Sequence, residues 1–267
     1  MNNGNKKFSF YTPVSYDYKF GLLAIASYYD IADEILLGID RARVTWSGNP
    51  YYLGDDFFEQ IRLLDKDKKI RIIEGSFHRS SSPVENDTNE RTAIADQCKH
   101  DYIIGIDSDE ILLNPIEFRE WLDTNEFYDF DVSAHLYTIF KTTGTKLFVA
   151  SPIETTVIGK NQGRIYKKCR YTGNRTKLSP LRLLHYSWGR TYAEIELKIK
   201  NWGHRNDFKH EDLLNLWKAL TLDNYQQFRN FHPLKLHQWW KEFIILDLKD
   251  FGMDAALLGQ LTKLGDV

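Results

Sequence analysis

Four short apolar runs in the first 110 residues, separated by segments with helical spacing, constrain this chain more than any other feature. Phe8 to Tyr11, Glu34 to Ile39, Ile70 to Ile73 and Tyr102 to Ile106 read as strands, and Phe20 to Asp30, Asp55 to Leu64 and Asn89 to Cys98 read as the helices between them. Crossovers of that length join parallel strands and cover the faces of the sheet with helices. Tyr102 to Ile106 is apolar throughout and bounded by polar residues, as a central strand buried on both faces must be. Ligands of such sheets bind beyond the carboxyl ends of the strands. The residues there are Thr12-Pro13 after the first strand, Asp40 after the second and Asp107-Ser108-Asp109-Glu110 after the fourth.

The rest of the chain changes character. A polar loop spans Ser76 to Asp87, and Asn114-Pro115 has a capping side chain followed by proline, which starts a helix that runs to Leu122. From Asp131 to about Ile165 the pattern is β, with Val132 to Phe140 and Leu147 to Ala150 as its strands, and from Tyr192 onward it is helical. The expected organisation is a catalytic domain over 1–190 and a helical C-terminal extension over 191–267. With 42% hydrophobic and 27% charged residues in 267, the chain can bury a sizeable core. Its longest apolar stretches, Gly21 to Tyr29 and Phe243 to Leu246, fall short of the ~20 residues of a membrane span. Met1 to Lys7 is polar and does not resemble a secretory signal, so a cytoplasmic location is expected. Cys98 and Cys169 have neither a disulfide framework nor the neighbours of a zinc site. Dinucleotide, phosphate-loop and nucleophile-elbow glycine motifs are absent.

Two carboxylates spaced as Asp107 and Asp109 can converge on one divalent ion, and hard oxygen donors suit Mg²⁺ or Mn²⁺ bridging to phosphate. A solvated acidic turn is the plainer alternative. Between Thr155 and Arg190 lie nine Lys or Arg residues and no Asp or Glu, a stretch that should attract anions unless it is simply a solvated β-hairpin. His204 and His210 flank Asp207 at a spacing that fits a polar loop, and Trp239-Trp240 reads as core or as a sugar platform.

The runs Arg91-Thr92-Ala93-Ile94-Ala95-Asp96-Gln97-Cys98 and Asp101 to Glu110 resemble the helix, strand and Asp-x-Asp segment of family 2-like glycosyltransferases of the GT-A fold. Leu184-His185-Tyr186-Ser187-Trp188-Gly189-Arg190 is similar to the late His-Tyr segment of several GT-A enzymes. The resemblance implies a Rossmann-like mixed sheet flanked by helices, Mn²⁺ or Mg²⁺ as cofactor, and a UDP- or GDP-linked sugar as donor. It implies that Asp107 faces the donor ribose or the metal, that Asp109 ligates the metal and that His185 supplies a third ligand. Asp40 matches the nucleoside position, with Thr12, Arg91 and Ser108 as further donor-binding residues, and Arg190 would neutralise the departing diphosphate. An inverting reaction needs a carboxylate to take the acceptor proton. Glu154 is first by chain order and Asp131 next, but the usual Gln-x-x-Arg-Trp signature is absent, so retention stays open. A saccharide or lipid-linked glycan is the favoured acceptor, with a polyanion such as a modified DNA base also open. The rival readings are a nucleotidyltransferase and a noncatalytic sugar- or nucleic-acid-binding protein.

Overall fold

The computed structural model describes residues 6–127, 129–202, 209–232, 239–251 and 255–265. In chain order the elements are β1 (Phe8–Val14), α1 (Tyr18–Tyr28), β2 (Glu34–Asp40), α2 (Asp55–Leu64), β3 (Ile70–Gly75), α3 (Pro83–Ala95), β4 (Tyr102–Gly105), β5 (Glu110–Leu112) and α4 (Pro115–Thr124). They continue as β6 (Asp131–Thr143), β7 (Lys146–Ser151), β8 (Glu154–Asn161), β9 (Thr176–His185), α5 (Tyr192–Asn201), α6 (His210–Ala219), β10 (Glu242–Asp247) and α7 (Ala255–Gly265). The chain is thus mixed α/β, with helices flanking mixed strands. Two compact units divide it, Met1–His135 with Thr155–Leu183 and Leu136–Glu154 with Leu184–Val267.

In the first unit, β1 pairs in parallel with β2 and β4, β3 lies parallel outside β2, and β8 runs antiparallel along β4. β1, β2 and β4 are buried along their whole length, which explains their largely apolar character, with Ser9, Thr12, Glu34 and Asp40 as the buried polar exceptions. Gly38 lets α3 settle directly on β2, since a Cβ there would stand 2.1 Å from the Ile94 side chain. Gly105 likewise makes room at the end of β4 for the Tyr11 ring, 2.5 Å from where a Cβ would be.

The sequence reading and the structure differ at several elements. β1 continues through Thr12-Pro13 to Val14. α3 begins at Pro83 and not near Asn89, because Ser82 accepts a hydrogen bond from the Glu85 amide at 3.4 Å and Pro83 occupies the first helical position. Residues 83–87 therefore belong to the helix and not to the polar loop. β5 and β9 were not anticipated.

In the second unit β7 pairs antiparallel with β10 and with the later part of β6. Phe140, Phe148, Trp188, Trp217, Trp240 and Phe243 share its core. The Lys141 ammonium caps the end of α6 by donating to the Trp217 and Leu220 carbonyls at 2.9 and 2.7 Å. The later part of β6 and β7 group with residues after 183. The C-terminal region is not wholly helical, because Phe243 to Leu246 lies in β10. His204 and Asp207 lie outside the described residues. Among the described residues no helix is long and apolar enough to cross a membrane.

Candidate functional site

Helix α3 buries Asn86, Asp87, Glu90, Arg91, Ile94 and Ala95. Four of these six are polar, so the inward face of the helix brings charge into the sheet where apolar side chains normally sit. Arg91 donates through Nε to Asp87 and through one terminal nitrogen to Asp107 Oδ1 at 2.7 Å. Asp107 follows β4 in a closed turn, with its amide donating to Glu110 Oε2 at 2.9 Å and the Glu110 amide donating to its carbonyl at 3.0 Å. Arg170 grips that turn from the opposite side. Its two terminal nitrogens donate to Glu110 at 2.7 and 2.6 Å, and it also reaches the Gly105 carbonyl and the Thr156 hydroxyl, both at 3.1 Å. One of those nitrogens stands 3.7 Å from Asp107 Oδ2.

Burial works against charge on Asp107, but Arg170 and Arg91 outweigh it and hold the carboxyl below the usual carboxylate range. Beside it, Ser108 Oγ donates to Asp17 Oδ1 at 3.0 Å, and Asp109 is buried. Behind this turn the Tyr11 hydroxyl donates to that of Tyr166 at 3.0 Å.

Glu90 has the opposite electrostatics. Complete burial pushes its carboxyl up to about 8, and Asp87 and Asp40 push the same way, while a hydrogen bond from Trp46 and the charge of Arg91 oppose them. Trp46 Nε1 donates to Glu90 Oε2 at 2.5 Å, and its ring centroid lies 5.7 Å from the Arg91 guanidinium. The Asp40 carboxylate anchors the loop carrying Trp46, accepting from the amides of Ala42 at 2.9 Å, Val44 at 3.2 Å and Phe77 at 2.8 Å. Thr12 is fully buried. It accepts from Tyr28 and donates to the Ile106 carbonyl, both at 2.8 Å, and so ties β1 to the segment leading into Asp107.

Of the residues singled out by sequence, the structure thus brings together Arg91, Asp107, Ser108 and Asp109, while Asp40 and Thr12 order the backbone of the same strand ends. The remaining candidates are not among these contacts. Asp131 is buried, with one oxygen accepting from Arg164 at 2.6 Å and the other from the Thr172 hydroxyl, so both are committed to internal structure. Glu154, His185 and Arg190 belong to the second unit. Arg190 is buried and donates through Nε to the Tyr186 carbonyl at 2.8 Å. His185 is the last residue of β9. Glu154, first in β8, accepts at Oε2 from Thr138 Oγ1 at 2.9 Å and from Trp240 Nε1 at 3.3 Å.

Sequence reasoning missed Glu90, Trp46 and the special place of Arg170 within the basic stretch. The spacing 86, 87, 90, 91 was the available signal, since it puts four polar side chains on one helical face. Much of the basic stretch also has internal work. Lys160 donates to the Arg164 carbonyl at 2.5 Å, Arg164 pairs with Asp131, Arg170 with Glu110, and Lys177 donates to Asn125 at 2.6 Å.

The donor set can be tested against a divalent ion. Among the described residues no group of three or more His, Cys, Asp or Glu side chains is arranged to hold a metal. Asp107 Oδ1 is taken by Arg91, whereas Oδ2 lies beyond hydrogen-bond length from Arg170. Ions such as Mg²⁺ keep waters and bind through one or two carboxylates plus substrate phosphates. Among the described residues, then, an ion would have to be held with substrate phosphate beside Asp107, and not in a cage made by protein alone.

No family model and no curated protein matches this sequence. Solved structures similar to it include S. aureus TarS, at 13% identity over 82% of this chain and 45% of that one, with a TM-score of 0.42. A TarS 1-349 complex with UDP-GlcNAc gives 14% identity over 52% of this chain and 38% of that one, with a TM-score of 0.32. A CMP:2-keto-3-deoxy-manno-octonic acid synthetase complexed with CTP gives 10% identity over 80% and 86%, with a TM-score of 0.31. The chain spans 39% of the TarS 1-349 chain. Likenesses this distant carry nothing over to the chemistry of the site.

Proposed function

We propose that the chain is a GT-A-type glycosyltransferase, moving a sugar from a UDP- or GDP-linked donor to an acceptor hydroxyl with Mn²⁺ or Mg²⁺ at Asp107 and Asp109. The observation that supports it is the ionised Asp107, kept charged by two guanidinium groups at the carboxyl end of a central parallel strand, with Asp109 two residues on. A strand end of this kind is where an open α/β sheet takes its ligand. The bound ion would act as a Lewis acid on the diphosphate.

The chain's own residues do the rest. Arg91 and Arg170 orient Asp107 and carry positive charge beside the leaving group, where fixed charge stabilises developing phosphate charge without reorganisation. An inverting reaction would further need a carboxylate to take the acceptor proton. In a direct displacement the acceptor oxygen bonds to the anomeric carbon as the bond from that carbon to phosphate oxygen breaks, its electron pair leaving with the nucleoside diphosphate. Of the two candidates, Asp131 has both oxygens committed, whereas one oxygen of Glu154 is not hydrogen-bonded among the described residues.

Incubating the protein with a panel of nucleotide sugars and Mn²⁺ tests the reading. Release of UDP or GDP, abolished in Asp109→Ala with the fold retained by circular dichroism, supports it. Turnover in Asp109→Ala equal to the parent removes Asp109 from the mechanism. Pyrophosphate formation from a nucleoside triphosphate and a sugar phosphate replaces the reading with a nucleotidyltransferase.

A further inference from the structure

The nine cations between Thr155 and Arg190 do not share one fate. Lys160, Arg164, Arg170, Lys177 and Arg190 each donate to a carbonyl, a carboxylate or a side-chain amide of the protein. Lys167, Lys168 and Arg175 are exposed, and among the described residues none of them has an ion-pair partner. They lie in one loop of the first unit. Its tip is a two-residue turn, Cys169-Arg170, closed by the Tyr171 amide donating to the Lys168 carbonyl at 2.8 Å and the Lys168 amide donating to the Tyr171 carbonyl at 3.3 Å. Residues opposed in this way across an antiparallel pair carry their side chains on the same face. Lys168 and Tyr171 therefore project together, and the Tyr171 ring is 53% exposed with no stacking or cation–π partner among the described residues. Lys167 folds over Gly173, where a Cβ would stand 2.6 Å from its Nζ. The tip is fastened from behind. Cys169 has a left-handed backbone, φ 48°, and its amide donates to Thr88 Oγ1 of α3 at 2.8 Å, while Thr172 donates to Asp131 and Arg170 turns inward to Glu110. A residue with a side chain keeps such a backbone only where its surroundings hold it.

We infer that this tip, Lys167, Lys168 and Tyr171 with Arg175, is a binding surface for single-stranded nucleic acid. The inference concerns a partner, and it holds whether or not the Asp107 centre transfers a sugar. A single strand offers both of the things for which the tip has no partner of its own: phosphates for the exposed cations, and unpaired base faces that stack on an exposed aromatic ring. A duplex hides its base faces, and polyphosphate has no flat ring, so neither would use Tyr171. The surface is also free of opposing charge from its own segment. Residues 155–190 contain no Asp or Glu, although the whole chain has a net charge of -2, so the local field favours phosphate where the overall charge does not. Because the tip is already fastened to α3, Asp131 and Glu110, binding need not order it, which removes one of the usual costs of association.

The test titrates the full chain against a fluorescently labelled oligothymidine, an abasic strand and a duplex of the same length, and polyphosphate, with anisotropy as the readout. Three phosphates neutralised on a single strand give a log–log salt slope of about −2, or roughly twentyfold weaker binding between about 50 and 200 mM salt. Lys168→Ala should flatten that slope by about 0.7. Tyr171→Ala should weaken the oligothymidine about tenfold or more while leaving the slope unchanged, and the abasic strand should bind the parent as weakly as the oligothymidine binds Tyr171→Ala. Both side chains are exposed, so the melting temperature should stay at the parent value and loss of binding cannot be ascribed to unfolding. No binding of the oligothymidine, equal affinity for the abasic strand or polyphosphate, tighter binding of the duplex, or affinity unaltered in Tyr171→Ala each overturns the inference. Nucleotide release from the donor panel reports separately on the Asp107 centre, so either reading can fail alone.

Discussion

Replacing Glu90 by glutamine gives a quantitative test of the polar face of α3. The folded protein holds the Glu90 proton up to about pH 8, whereas the carboxyl ordinarily loses it near 4.5. Between these values folding takes up a proton, so this group's contribution to stability is fully present below 4.5, is lost as pH rises through the window, and levels off above about 8. At about 1.4 kcal/mol per tenfold change in proton affinity, the loss comes to roughly 4–5 kcal/mol. That is a large part of the ~5–15 kcal/mol that holds a domain together. Glutamine keeps an oxygen for the Trp46 indole and has no charge to bury. Urea denaturation of parent and Glu90→Gln at pH 5 and pH 8.5 measures the effect, and every other titrating group cancels in the comparison. The parent should lose roughly 4 kcal/mol more than the variant across that interval. Parallel pH dependence in the two proteins would mean that Glu90 ionises normally, and the account of a neutral carboxyl under Trp46 would be refuted.

Three further outcomes follow from the same network. Trp46→Phe deletes the indole donor that favours the charged form of Glu90, so it should extend the falling limb of that stability profile to higher pH and cost about 1–3 kcal/mol; an unshifted profile counts against the bond. Arg170→Met leaves the buried Glu110 carboxylate without its bidentate partner and should lower stability by about 3–5 kcal/mol in denaturant titration, while Arg170→Lys, unable to make the fork, should recover only part of it. An unchanged unfolding midpoint in both would show that the turn does not depend on Arg170. Asp131→Asn should destabilise by roughly 2–4 kcal/mol through its effect on Arg164 and leave turnover per folded molecule near the parent value; a hundredfold loss of turnover at unchanged stability would instead make Asp131 the base.

The alternation of short apolar runs with helical segments was enough to read the parallel strands of the first unit, because strands buried on both faces are dominated by apolar residues, with Ser9, Thr12, Glu34 and Asp40 as exceptions. The later strands were harder for a physical reason. β9 is half exposed and interleaves Lys177 and Arg182 with apolar residues, and β5 has only three residues, so neither rises above a loop in pattern. β10 is a short apolar run whose partner, β7, lies 91 residues earlier by the pairing of Glu242 with Ser151, and no local signal encodes such a pairing. The same distinction separates the site residues. Asp107 and Asp109 are legible because they stand at the end of an apolar run. Arg170 is not, since the sequence offers it as one cation among nine, and only its grip on Glu110 singles it out. Arg190 illustrates the converse. Its Nε donates to the Tyr186 carbonyl inside its own turn, a contact that its place after a His-Tyr segment does not announce. A cation's reach therefore cannot be read from its spacing to a motif, because a long side chain goes where an unsatisfied carbonyl or carboxylate draws it, and that partner is fixed by tertiary structure. The strand-end aspartates and Arg91 could be singled out before the fold was in hand because they lie in or beside one apolar run and its preceding helix, whereas Arg170 reaches the same turn from a distant loop and could not.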